Sequence, residues 1–343
     1  MSELSKTKVL VTGITGFIGS HTAIQLLNKG YQVRGSMRKL TRASQIKEVL
    51  AKHAPVDKLE FVKAELTSLE DWDNATKGVD YVIHIASPVP RKLPKNDQEL
   101  IIPAKAGAIN VLKSAEKNGV KRVVMTSSAA SIAYGTKPKA RIYTEEDWTD
   151  FTKLRDTTAY IRSKTIAELT AWDYVKTQQA KVELSVINPV LVLGPVLEED
   201  FGTSALLIKK LLGGEVPGMP KFGFCLVDVR DVADLHIRAM THPEAAGKRF
   251  ICSEKFEWIT DIVSILKKEY PTYQKPLPSM SFPNFLVRIF SLIDTETKAV
   301  LVDLDVKRDL SNNLAKTLLG WQPRSNEEAI KATADSLIEL GIV

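Results

Sequence analysis

Tyr160 and Lys164 stand four residues apart in "YIRSK". On a helix that spacing puts both side chains on one face. A free phenol has a pKa near ~10 and is a poor acid-base group at neutral pH. An ammonium beside it favours the phenolate and lowers that value. The pair can then exchange a proton with the oxygen of a carbonyl or an alcohol. The pattern occurs by chance in many helices, so it needs company. Ser128, in "VVMTSS", follows a predicted strand and can offer a second hydrogen bond to the reacting oxygen. Its competing role is to cap its own loop.

A second group of residues concerns an anion. "KVLVTGITGFIGSH" (Lys8–His21) holds Gly13, Gly16 and Gly19 at three-residue intervals. Each glycine weakens a regular element by roughly 0.5–1 kcal/mol, so the turn must return something. Gly13 suits the tight exit from a strand, Gly16 lets backbone approach a pyrophosphate, and Gly19 allows a helix to pack closely. The helix N-terminus then offers its free N–H groups to the phosphates. The competing account is an ordinary turn with chance glycines. After the second predicted strand comes "GSMRKLTR", with Ser36 where a ribose-binding carboxylate usually stands, then Arg38, Lys39 and Arg42. Guanidinium groups suit a phosphate on the ribose. A solvated basic surface is the alternative.

These residues need a scaffold. Short apolar runs are predicted as strands at Lys8–Thr12, Tyr31–Ser36, Leu59–Leu66, Asp80–Ser87, Lys121–Ser128 and Val182–Pro189, with amphipathic helices between most of them. Non-alternating strands joined by helices indicate a parallel sheet covered on both faces. The fold class is α/β: a Rossmann doubly wound parallel sheet, with a smaller, mostly helical C-terminal substrate domain. Residues 1–190 are expected to form the dinucleotide-binding domain, with segments returning to it from about 223–257, and residues 191–343 the smaller domain. The rhythmic stretch Phe282–Asp294 is expected to lie in a core, with a substrate-pocket lining or a dimer seam as alternatives.

Composition narrows the partners. The chain has 343 residues, a net charge of +6 and 44% hydrophobic residues, enough for a full core without staples. Its lysines and arginines are scattered, without the basic tract and interleaved aromatics of a nucleic-acid binder. No segment reads as a leader or a membrane span. Two cysteines, Cys225 and Cys252, form no pairing motif, which favours a reducing, cytoplasmic setting. His21, His53, His84, His236 and His242 lack metal spacing, so no metal is expected.

The segments "TGITGFIG", "TSSA", "YIRSK", "NPVLVLGP" and "VDVRDVA" together resemble the extended short-chain dehydrogenase/reductases over nearly the whole chain. The dihydroflavonol reductase and cinnamoyl-CoA reductase branch is most similar, and the yeast methylglyoxal/isovaleraldehyde-type carbonyl reductases look closest. The resemblance implies Ser128, Tyr160 and Lys164 as a catalytic triad, with NADPH/NADP as cofactor. It adds Thr15, Phe17 and Ile18 in the glycine turn, Ala86 and Ser87 near the ribose, Thr126, and Pro189 and Val190 near the nicotinamide. Asn110 matches an asparagine that can complete a proton relay. Glu65 and Leu66 stand where the family often carries Asp-Leu beside adenine. Ser128 is chosen over Ser127 because it directly precedes the alanine of the pattern. Asp228 and Asp231 are read as structural.

The expected function is reduction of a small-molecule aldehyde or ketone, with hydride from the nicotinamide and the proton from Tyr160, by a monomer or homodimer. An NAD-dependent sugar-nucleotide epimerase or dehydratase on the same scaffold is an alternative, and a non-enzymatic nucleotide sensor is another. The substrate pocket is expected from loops near Pro88–Leu93, Ala129–Tyr134 and Phe201–Val227.

Overall fold

The computed structural model describes residues 3–88, 94, 96–199, 202, 204–271, 273, 277–292 and 301–343. In chain order its first half runs β1 (Lys8–Thr12), α1 (Phe17–Asn28), β2 (Gln32–Met37), α2 (Ala43–Ala51), β3 (Leu59–Lys63), α3 (Leu69–Thr76), β4 (Tyr81–His84), α4 (Gln98–Lys117), β5 (Arg122–Thr126) and β6 (Ile142–Tyr143). The second half runs α5 (Ala159–Thr177), β7 (Glu183–Pro189), β8 (Leu191–Leu193), α6 (Ala205–Leu212), β9 (Met219–Pro220), β10 (Gly223–Asp228), α7 (Val229–Thr241), β11 (Arg249–Cys252), β12 (Lys255–Trp258), α8 (Ile259–Glu269), β13 (Ser281–Phe282), α9 (Asn284–Phe290) and β14 (Asp309–Leu310). Two further helices follow at Asn313–Leu319 and Asn326–Glu339.

Seven parallel strands make the main sheet, in the order β11-β7-β5-β4-β1-β2-β3. The central strands are buried without alternation because helices cover both faces: every residue of β5 is buried, whereas the edge strand β3 buries only Leu59. On one face α1 and α7 pack around Ile24, Leu27, Val232 and Leu235. On the other, α3, α4 and α5 pack around Trp72, Val111, Leu112 and Ala171. The order of the strands reverses between β1 and β4, so a crevice opens outside their carboxyl ends. There β1 and its neighbours end level, with Thr12 opposite both Ser36 and His84.

A second core lies in the C-terminal part. β12, β10 and β8 form a three-stranded sheet, and α6, α8 and the helix Asn326–Glu339 cover it around Leu211, Leu226, Ile262 and Leu337. Within residues 223–257, where returning segments were expected, the strands divide between the two sheets. Only β11 joins the main sheet, and α7 covers it, whereas β10 and β12 pair with each other and with β8.

Two other expectations change. The sequence reading assigned no helix to Leu69–Thr76. It forms because Ser68 accepts from the Asp71 amide at 3.2 Å, with Glu70 and Asp71 in the first turn. The stretch Phe282–Asp294 is not a core element over its described part. In α9 only Val287 is buried, while Phe285, Ile289 and Phe290 are exposed; residues 293 and 294 lie outside the described residues. Cys225 and Cys252 are free thiols, both buried. Among the described residues no helix is long and apolar enough to cross a membrane, and no cluster could hold a metal ion.

Candidate active site

The glycine turn is sterically full. Gly13 has φ +66°, and a Cβ there would lie 3.1 Å from the Ala86 Cα. A Cβ on Gly19 would lie 2.2 Å from the Gly13 carbonyl oxygen, so α1 can start this close to β1 only with glycine there. Gly16 is the N-cap of α1. No side chain caps the helix, and its first turn has no acidic residue. The amides at this end therefore have no side-chain cap and no carboxylate of their own first turn as partner. Thr12 pins the neighbouring strand. Its hydroxyl oxygen accepts from the Ile85 and Ala86 amides, each at 2.9 Å, and pairs with His84 Nδ1 at 2.9 Å.

The crevice is a cleft of about 750 Å³. Its wall includes Gly13, Thr15, Gly16, Phe17, Ile18, Arg38, Glu65, Leu66, Ala86, Ser87, Thr126, Ser128, Tyr160, Lys164, Pro189 and Val190, all singled out in the sequence. Gly19, Lys39 and Arg42 are not on that wall. Gly19 is covered by the turn it packs against. Arg42 is paired with Glu198 at 3.1 Å, and Gln45 donates to the same carboxylate at 3.3 Å. Of the three cations expected near the ribose, Arg38 alone reaches the wall.

Glu65 turns back on the backbone, accepting from the Leu66 amide at 3.1 Å. Asn110 donates to the Leu66 carbonyl at 3.1 Å and is not on the cleft wall, so its contact is structural. Asp228 caps α7 and holds Arg230, while Asp231 holds Arg324, as expected of structural carboxylates. The sequence reading missed Trp72, Leu100 and Pro103 on the wall. Pro103 inside the helical pattern of α4 was the available signal, since an interior proline frees a carbonyl and marks an irregular turn. Of the three loops expected to shape the substrate pocket, residues 89–93, 201 and 203 lie outside the described residues.

At the far end of the cleft, Tyr160 is the second residue of α5, whose start is fixed by Thr158 accepting from the Ile161 amide at 3.3 Å. Lys164 lies one turn on, with Nζ 6.0 Å from the centre of the Tyr160 ring. Lys164 is buried, and that burial pulls its pKa down to about 8, with the Glu168 charge acting against it. Burial also pushes the Tyr160 phenol above its usual value, and the Ser128 hydroxyl acts the other way. The sequence argument expected the ammonium to lower the phenol; in this site desolvation is the larger effect. A phenol so raised is protonated at neutral pH, and as an acid it is weaker than a free one. Of the two roles foreseen for Ser128, the structure shows the loop cap. Ser128 accepts from the Ala130 amide at 3.1 Å, capping its loop, and it lines the cleft beside Tyr160. Ser127, the other candidate, donates to buried Glu168 at 2.5 Å.

A glycine-cradled helix N-terminus at one end of a crevice, at the switch point of a parallel sheet, defines a dinucleotide-binding protein of the doubly wound class. A model of the NAD dependent epimerase/dehydratase family matches residues 9–252. An uncharacterized oxidoreductase of Schizosaccharomyces pombe is 33% identical, with 98% of each chain covered. Cinnamoyl-CoA reductase CAD2 of Medicago truncatula is 34% identical over 78% of this chain and 82% of its own. The crystal structure of yeast methylglyoxal/isovaleraldehyde reductase Gre2 complexed with NADPH superposes with a TM-score of 0.82 at 28% identity, over 98% of this chain and 100% of that one. The chain belongs to the NAD dependent epimerase/dehydratase family, among its dihydroflavonol and cinnamoyl-CoA reductase-like oxidoreductases.

Proposed function

We propose that the protein reduces aldehydes or ketones to alcohols with NADPH. The observation that carries this reading is one cleft whose wall holds the uncapped α1 N-terminus and Arg38 together with Ser128, Tyr160 and Lys164. The residues present fit a dinucleotide. Glycine is the one residue the packing at 13 and 19 admits, and the cradle it leaves faces free amides. Arg38 would meet a ribose phosphate with charge-assisted hydrogen bonds. Ala86, Ser87, Pro189 and Val190 would flank the ribose and nicotinamide.

The bound dihydronicotinamide supplies the hydride that forms the new C–H bond at the carbonyl carbon. The chain supplies the proton and the geometry. Ser128 donates to the carbonyl oxygen and orients it. Tyr160 transfers its phenolic proton to that oxygen as negative charge develops there, and is left as phenolate until solvent restores the proton. Lys164 stabilises that phenolate with its charge.

Similarity to Gre2, whose structure contains NADPH, and to a cinnamoyl-CoA reductase supports the reaction class. The test is an initial-rate screen of aldehydes and ketones, following NADPH absorbance. Turnover of at least one carbonyl substrate, with NADPH strongly favoured over NADH, is the expected result. Tight NAD binding with no net oxidation of NADPH by any carbonyl would point to the epimerase alternative.

A further inference from the structure

Glu168 lies one turn beyond Lys164 on α5 and is fully buried. A buried carboxylate costs several kcal/mol unless it is paired and hydrogen-bonded, so its partners matter. Oε2 lies 2.5 Å from both the Ser127 and Ser131 hydroxyls and accepts from Asn188 Nδ2 at 2.9 Å. Oε1 accepts from Arg249 Nε at 2.6 Å and from Trp172 Nε1 at 3.3 Å. The donors come from the end of β5, the turn after it, β7, β11 and α5 itself. Arg249 is equally fixed. Its Nη1 donates to the Glu145 and Asp147 carbonyls, each at 2.9 Å, and its guanidinium stacks 3.6 Å from the centre of the Trp148 ring.

Two of these contacts bracket Ser128. Ser127 precedes it, and the Ser131 hydroxyl is 2.8 Å from the Ser128 carbonyl, sharing its one proton between that oxygen and Glu168. Asn188 Nδ2, besides holding Glu168, reaches the same Ser128 carbonyl at 3.3 Å. The segment that carries one reacting side chain is thus tied to a carboxylate one turn from another. None of these groups exchanges a proton or hydride in the reduction.

We propose that Glu168, backed by Arg249, is the positioning residue of this site: it fixes the 127–131 segment that aims Ser128, and it places a carboxylate one helical turn beyond Lys164. This rests on the roles given above to Ser128, Tyr160 and Lys164. The other groups around Lys164 do not supply that charge. Tyr160, on the same helix, is neutral at neutral pH. His84, from β4, is driven down to about 3 by burial and is neutral as well. Glu168 opposes the desolvation that draws the proton off Lys164.

The experiment compares wild type with Glu168→Gln, which keeps the shape and removes the charge. NADPH affinity is read by fluorescence titration from pH 6 to 10, beside kcat with a reducible carbonyl. The alkaline limb of NADPH binding is expected to move down by about one pH unit, because an adjacent opposite charge shifts a pKa by roughly 1–3 units. kcat at neutral pH should fall about tenfold or more, as for a misplaced hydrogen-bond donor to the reacting oxygen. A folded Glu168→Gln protein with an unmoved alkaline limb and wild-type kcat overturns the proposal. If that variant does not fold, the double variant Ser127→Ala with Ser131→Ala tests the same tie: kcat should fall while NADPH affinity holds, and an unchanged kcat overturns it. Tyr160→Phe run in parallel separates the two layers. Retained turnover there refutes the triad itself, whereas lost turnover beside an unaltered Glu168→Gln refutes only the role of Glu168.

Discussion

The turn at Gly13–Gly19 and the helix α9 stand at opposite extremes of constraint. In the turn, backbone touches backbone: an added Cβ at Gly19 would meet the Gly13 carbonyl oxygen at 2.2 Å and its carbonyl carbon at 2.9 Å. In α9 only Val287 is buried, Phe285 and Ile289 are more than half exposed, and the Phe282 and Phe290 rings meet at 5.8 Å near the surface. The first region cannot change without moving a strand, a helix and the wall of the cleft together. The second can change almost freely. The difference teaches where this fold keeps its precision. The cofactor end is defined by main-chain proximity, whereas α9 contributes a single buried side chain.

The contrast can be pressed hardest at Gly19. Gly19→Ala puts a methyl group against main chain that has no room to yield, and overpacking of that kind costs about 3 kcal/mol or more. Chemical denaturation should show that loss together with weakened NADPH binding. A stable Gly19→Ala protein would mean that α1 is free to slide on β1.

Acid should also strike the cofactor half. His21, His84 and His236 lie on α1, β4 and α7, and burial pulls them down to about 4, 3 and 4. Their folded values lie below the ordinary 6.5, so the unfolded chain binds protons that the folded one refuses. Stability is then fully present above pH 6.5 and falls as the pH drops toward 4, by up to ~1.4 kcal/mol per pH unit for each histidine. The raised carboxyls of Glu145 and Asp231 act in the opposite sense, but from lower ordinary values. The thermal midpoint at pH 5 should therefore lie several degrees below that at pH 7; equal midpoints would contradict the assignment.

Smaller effects sharpen the picture within each region. Arg38→Ala should weaken NADPH about 10- to 100-fold more than NADH, because a charge-assisted hydrogen bond contributes roughly 1.5–3 kcal/mol. Arg42→Ala should do less, since Glu198 already holds that guanidinium. Titration of both variants with both cofactors decides between them, and equal losses would put Arg42 back in the phosphate site. At the far end of the scale, Phe285→Ser should leave stability within about 0.5 kcal/mol of wild type, as for exposed positions generally. A clear loss by denaturation would show that α9 is covered in solution.

The sheet was legible because its central strands, such as β1 and β5, are short apolar runs, and burial on both faces leaves little alternation in them. The seventh, β11, was not, because four residues between two other elements carry too little pattern. The glycines and the Tyr160–Lys164 pair were legible because their spacing alone fixes a turn and a helix face. The pairing of Arg42 was not legible because its partner, Glu198, is distant in sequence and no local pattern announces it. The effect of Lys164 on Tyr160 was misjudged for a related reason: charge is visible in a sequence, whereas the burial that outweighs it is not. Glu168 escaped notice altogether, being one acidic residue in an amphipathic helix until five donors converge on it. Periodicity read α9 as core because it reports which side chains share a face and not what covers that face.

The central claim is that the phenol of Tyr160 gives the proton. Tyr160→Phe removes one oxygen and leaves the ring and its packing in place. Steady-state NADPH oxidation with a carbonyl substrate, beside fluorescence titration of NADPH, reads the consequence directly. The account predicts that kcat falls by about 10²–10⁴-fold while NADPH affinity stays near wild type, the range typical of a general acid. A Tyr160→Phe enzyme with near wild-type turnover, under conditions where chemistry limits the rate, would contradict it.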